Sequence, residues 1–186
     1  MGVRIKSRWS AKGKERSVAD TASALAFNMW KVAADRLLEL ETEGFQTDTH
    51  EQRIHVISEF LIFMIHMVDR LVYEKMSDED RGLLINALAK RLAQIAQDNF
   101  RDTVPEGDHV SDFINRLNKT INDYSDFSFE DEKPGFGMLR LFGENVTRTL
   151  GEKDKKWITT QVIDIEAPDT LRYLKRILGG LIKTST

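Results

Sequence analysis

The chain has 186 residues, 41% hydrophobic and 31% charged, with a net charge of −3 at pH 7. That length suffices for one domain with a real core, and the composition is ordinary for a helix-rich globular protein. The lack of cysteine excludes disulfides, zinc–thiolate centres and thiol catalysis, and three prolines with eleven glycines argue against a turn-rich β-sandwich.

Charge is unevenly placed. Residues 1–16 hold six Lys or Arg against one Glu, a net +5, so the rest of the chain carries −8. This stretch has no helical period and one aromatic, Trp9, and is read as a flexible basic arm that solubilises the chain or folds back onto its acidic body. Contact with nucleic acid or a membrane through residues 1–16 is disfavoured, because the acidic body repels the same phosphates. No secretory apolar run follows the basic start, and Ser7 stands one position too late for a myristoylation signal. A cytoplasmic location is expected. The sequons at Asn118 and Asn145 fall in predicted helices and are taken as chance.

The first predicted helix runs from Ser17 or Asp20 to Glu43. Ala22, Leu25, Ala26, Met29, Val32, Ala33, Leu37 and Leu40 recur at steps of three and four, and Gly44 stops the run. A short polar connection then turns the chain into the second helix, His50–Lys75, with Asp48 as expected cap and Glu51 in the capping-box position. This is the most apolar segment. Ile57, Phe60, Leu61, Met64, Ile65, Met67, Val68, Leu71 and Val72 cover about half its circumference, against the ~100° stripe of a surface helix. It is expected at the centre of the fold. Its polar side carries His55, Ser58, Glu59, His66, Asp69 and Arg70, interrupted by Ile62, Phe63 and Tyr73.

Ser77 caps a third helix reaching Arg101, with Leu84, Leu88, Leu92 and Ile95 as its buried line. Pro105-Glu106-Gly107 breaks the chain. Asp108 opens a fourth helix, with Val110, Phe113, Ile114, Leu117 and Ile121 as its apolar face, ending near Tyr124. Residues 125–135 read as a mobile loop pinned by Phe127 and Phe129. A fifth helix spans Phe136–Leu150 and ends at Gly151. The segment Lys153–Lys183 is helical on both sides of Pro168, with Trp157, Ile158, Val162 and Ile165 preceding the break, so two helices or a sharp kink are expected there, Pro168 opening the second.

The expected fold is all-α: a compact bundle of six to seven helices around the central apolar second helix, with residues 17–186 as a single helical domain. No glycine-rich phosphate loop, G-x-S-x-G or E-x-x-H pair is present, so no catalytic residue is assigned. One polar column offers chemistry. His55 with Glu59, and His66 with Asp69, are helical neighbours, and imidazole with carboxylate suits Zn, Fe or Mn. The pairs stand about 10 Å apart along the axis, so one ion would need ligands from other helices, for which Asp35, Glu144, Asp164 and Glu166 are candidates. No bound ion is the expected state. Asn28, Asn86 and Asn145 suggest a buried amide layer that sets register. The functional expectation is a non-catalytic helical interaction or regulatory protein, meeting a protein partner or a second copy of itself through the mixed face of the second helix. The alternative is a metal- or small-ligand-binding bundle using that same face.

Overall fold

The computed structural model describes residues 17–102, 106–151 and 155–182. The basic arm, Pro105 and the extreme ends expected for the last helical segment lie outside them. The elements are α1 (Val18–Thr42), α2 (His50–Val72), α3 (Asp78–Phe100), α4 (His109–Ser125), β1 (Phe129–Glu130), β2 (Lys133–Pro134), α5 (Phe136–Leu150), α6 (Lys155–Gln161), a π-helical segment (Val162–Glu166) and α7 (Ala167–Leu181). The chain is an all-α bundle, and no helix among the described residues is long and apolar enough to cross a membrane.

Local chemistry sets the helix starts. Ser17, Thr49, Ser77 and Asp108 each accept a hydrogen bond from the backbone amide three residues on, each cap contributing roughly 1 kcal/mol. On α2 the cap stands one residue later than Asp48. Thr49 is extended and its hydroxyl accepts from the Gln52 amide, while the Gln52 side chain turns back to the Asp48 amide at 2.6 Å. The capping residue and its reciprocal partner are therefore Thr49 and Gln52, not Asp48 and Glu51.

The centre of the bundle is α2. Every residue from Val56 to Ile65 is buried, because α1, α3, α4, α5 and α7 all pack on this helix. Phe60 meets the Phe142 ring edge-on at 5.0 Å, and Phe63 stacks on the same ring at 4.1 Å. Each such ring removed from water contributes about 1.5–3 kcal/mol. On its polar side Ile62 and Phe63 are 1% and 0% exposed, so the middle of that side is covered by this chain's own helices, whereas Tyr73 just past the end of α2 is 59% exposed.

Two stretches depart from the expected pattern. Residues 125–135 contain a two-residue antiparallel ladder, Phe129 opposite Pro134 and Glu130 opposite Lys133. Its turn residues Asp131 and Glu132 have φ of 50° and 56°, a conformation usually given to Asn-Gly, which is why the hairpin read as a loop. A Cβ on Gly137 would sit 2.5 Å from the Phe127 ring, so this ring docks where only glycine leaves room. At Pro168 a further helix, α7, opens as expected, but the chain does not break before it: the π-helical segment joins α6 to α7. The Ala167 amide donates to the Val162 carbonyl five residues back, and Pro168 lies at the start of α7. This wider π turn accommodates a residue with no N–H to donate. Before it, α6 packs on α5, where Gly143 allows close approach to Thr159. Ile158 and Val162 are buried, but Trp157 and Ile165, off that line, are 72% and 48% exposed.

Candidate functional site

The polar column of α2 is roofed by α4. At its N-terminal end, Arg116 of α4 reaches down between His55 and Glu59. Its Nη2 donates to Glu59 Oε1, and its Nη1 donates to His55 Nδ1 at 3.0 Å. Since Nδ1 accepts, a neutral His55 ring carries its proton on Nε2, which faces Glu51 at 3.7 Å. Burial lowers the His55 pKa, and the adjacent Arg116 charge lowers it further, with Glu51 opposing. Burial raises the Glu59 pKa, opposed by Arg116. The His55 ring packs against Phe100 at 5.0 Å, and Phe100 stacks on His109 at 4.3 Å, which fixes the imidazole from behind.

About two to three turns further along α2, His66 belongs to a different set. Thr120 donates its only hydroxyl proton to the Leu117 carbonyl at 2.9 Å, so its oxygen accepts from His66 Nε2, at 3.4 Å. The His66 ring lies 4.6 Å from that of Tyr124. Burial, with Arg70 adding to it, lowers its pKa to about 4. The Tyr124 hydroxyl is buried with no well-formed hydrogen bond; burial, then the nearby Glu59, raises its pKa, and the Asn145 side chain beside it opposes that rise. Asp69 pairs with Arg81 of α3 at 2.7 Å, and the same guanidinium bonds Asp78 at 3.1 Å.

The four residues singled out from the sequence therefore do not converge. His55 and Glu59 share Arg116, His66 faces Thr120 and Tyr124, and Asp69 faces Arg81. Of the outside ligands considered, Glu144 pairs with Arg140 on its own helix and Glu166 with Arg36, while Asp35 and Asp164 are exposed. Among the described residues no three His, Asp or Glu side chains gather as a metal-holding group. Asn86 is exposed, so the amide layer is not formed.

Sequence reasoning missed the cations that organise the polar interior. Arg36 stands on the buried line Met29–Ala33–Leu40 of α1, and Arg116 stands beside Phe113 and Leu117 on the buried side of α4. A charged residue at an apolar position in the helical period was the available signal, since such a charge needs a partner. Arg36 finds Glu166 and Asp169, both at 3.4 Å.

The α2–α4 seam opens into a groove of ≈ 490 Å³ lined by Asp48, Thr49, Glu51, Gln52, His55, Arg116 and Thr149. Its chemistry is mixed: a guanidinium and an imidazole on the floor, and two carboxylates on the rim. Comparison with known protein families, with curated proteins and with solved structures returns no match to this chain.

Proposed function

We propose that this chain is a non-catalytic binding protein that takes a small polar ligand in the groove at the start of α2, with Arg116 holding the ligand's anionic group. The observation that carries this reading is the state of Arg116. Its side chain is 35% exposed although Glu59 beneath it is 7% exposed. Two of its five N–H donors go to Glu59 and His55. The others have no acceptor among the described residues. A guanidinium already fixed in place has less freedom to lose on binding an oxyanion, and its planar fork matches a carboxylate or phosphate. Glu51 on the rim favours a ligand that also carries a cationic or donor group, as an amino acid does. Glu59 is committed to Arg116 and supports a positioning role.

The test is calorimetric titration at low salt with a panel of acetate, glycine, glutamate and inorganic phosphate. Saturable binding of at least one, weakened tenfold or more by Arg116→Gln and largely kept by Arg116→Lys, is the expected result. No saturable binding across the panel, or an affinity indifferent to Arg116→Gln in a folded variant, would sink the reading.

The metal alternative remains distinct and checkable. Arg116 occupies Nδ1 of His55 and Oε1 of Glu59, so an ion bridging those two atoms would have to displace it. Near-stoichiometric Zn, Fe or Mn in untagged protein, lost on His66→Ala, would favour that alternative.

A further inference from the structure

We infer that the cleft between α1 and α7 is a second binding site, made for a phosphoryl group. It lies on elements that the α2 groove does not use. The cleft has a volume of ≈ 190 Å³, and its polar lining comes from Asn28, Lys31, Asp35 and Arg36 of α1 and from Tyr173 and Arg176 of α7. Two cations, Lys31 and Arg176, thus face one carboxylate, Asp35, while Arg36 at the base is held by Glu166 and Asp169. The period of the two helices explains the convergence: positions 28, 31 and 35 share one face of α1, and 173 and 176 share one face of α7.

Three observations point to an anion. First, neither Lys31 nor Arg176 forms an ion pair with any described residue; each lies over an aromatic ring instead, Lys31 at 5.9 Å from Phe27 and Arg176 at 5.0 Å from Tyr173. Second, Arg36 is 8% exposed and its buried Nε–H has no acceptor, although its Nη1 serves Glu166 and Asp169. Arg36 thus forms the positively charged base of the cleft, beneath Lys31 and Arg176. Third, Arg36, Arg172 and Arg176 surround the single Tyr173 ring, at 5.8, 5.6 and 5.0 Å from its centre. Asp169 pairs with both Arg36 and Arg172, so among the described residues Arg176 is the cation at this ring left to meet an oxyanion. Guanidinium forks and a lysine ammonium are the donors that recognise phosphate. Asn28 and the Tyr173 hydroxyl add neutral donors for its remaining oxygens. Asp35 opposes a highly charged ligand, so a phosphate ester that also offers a donor to Asp35 fits better than the free phosphate dianion.

The full chain, labelled with ¹⁵N, is titrated at low salt with inorganic phosphate, with a nucleoside monophosphate, and with phosphatidylcholine vesicles with and without phosphatidic acid. Saturable amide shifts confined to the neighbourhood of Lys31, Tyr173 and Arg176 are expected from at least one phosphoryl source, and the responding arm identifies the source as soluble or lipid-borne. Lys31→Gln and Arg176→Gln, both on exposed side chains, each weaken binding about tenfold, whereas Asp35→Asn tightens it several-fold. Arg116→Gln leaves it unchanged, which separates this site from the α2 groove. Absence of saturable shifts in every arm overturns the inference, as does phosphate binding that survives Arg176→Gln undiminished.

Discussion

Two arginine–glutamate pairs tie remote parts of this chain together, and they behave differently because water reaches only one of them. Arg36 and Glu166 join α1 to the π segment across 130 residues, with side chains 10% and 1% exposed. Arg116 and Glu59 join α4 to α2 across 57 residues, with side chains 35% and 7% exposed. In both, burial raises the carboxyl pKa and the arginine opposes that shift. The first pair is reinforced inside the protein: Asp169 also bonds Arg36, and Gln161 donates to Glu166 at 3.2 Å. The second pair ends at a groove, with His55 as its third member. The same chemistry serves as an internal brace where both ends are dry, and as a poised recognition group where one end is wet.

The sharpest way to break this contrast is to remove each arginine. Arg36→Ala leaves Glu166 buried without a countercharge and should cost about 3–5 kcal/mol, read from urea unfolding. Pairing Arg36→Met with Glu166→Leu should recover most of that loss, since no charge is then left buried. An Arg36→Ala cost no larger than that of Arg116→Ala would erase the distinction between brace and recognition group.

Acid should separate the two seams next. His66 in the α2–α4 seam has a folded pKa of about 4 against an ordinary 6.5. Between those values the unfolded chain takes up the proton first, so His66 removes stability as pH falls, by on the order of 3 kcal/mol at pH 4. Glu59 and Glu166 act with the opposite sign: their raised folded values mean that lowering the pH through them favours the fold. Unfolding midpoints from pH 7 to pH 4 should therefore lose part of their acid sensitivity in His66→Gln. An unchanged slope in that variant would show that His66 is not what makes the seam acid-sensitive.

Arg116→Ala should cost about 1–2 kcal/mol, less than Arg36→Ala, because water enters at the groove and Glu59 can take up a proton. Chemical denaturation at pH 7 and pH 5 would show the deficit shrinking at the lower pH. The smallest effect is expected from Tyr124→Phe. The hydroxyl it removes is buried with no well-formed hydrogen bond, so stability should stay level or rise by up to about 1 kcal/mol. A clear loss would mean that the hydroxyl takes part in the seam after all.

Much of the fold was legible because its signals are local. A cap acts across three residues, as Ser17 to Asp20 and Ser77 to Asp80 show, and the end of α5 at Gly151 needs only a residue that tolerates a φ of 95°. The α2 stripe was wide enough to place that helix at the centre, and 15 of its 23 residues are buried. Short-range signals failed where two local answers compete. Asp48 and Thr49 are both good caps, and Asp131-Glu132 has none of the usual hairpin-turn chemistry. At Pro168 a π turn and a break satisfy the missing N–H equally well.

The candidate site was legible only by half. His55, Glu59, His66 and Asp69 could be named because helical spacing puts them on one side of α2. What each one faces could not, because Arg116, Thr120 and Arg81 arrive from other helices. The periodicity of a sequence is a property of one helix and says which side turns inward. It carries no information about which neighbour's charge meets that side. The chain by itself thus determined its helices, its core residues and the central place of α2. Only packing across the fold decided that Arg36 would be sealed against Glu166, that Arg116 would stay at an opening, and that the middle of the polar side of α2 would be covered.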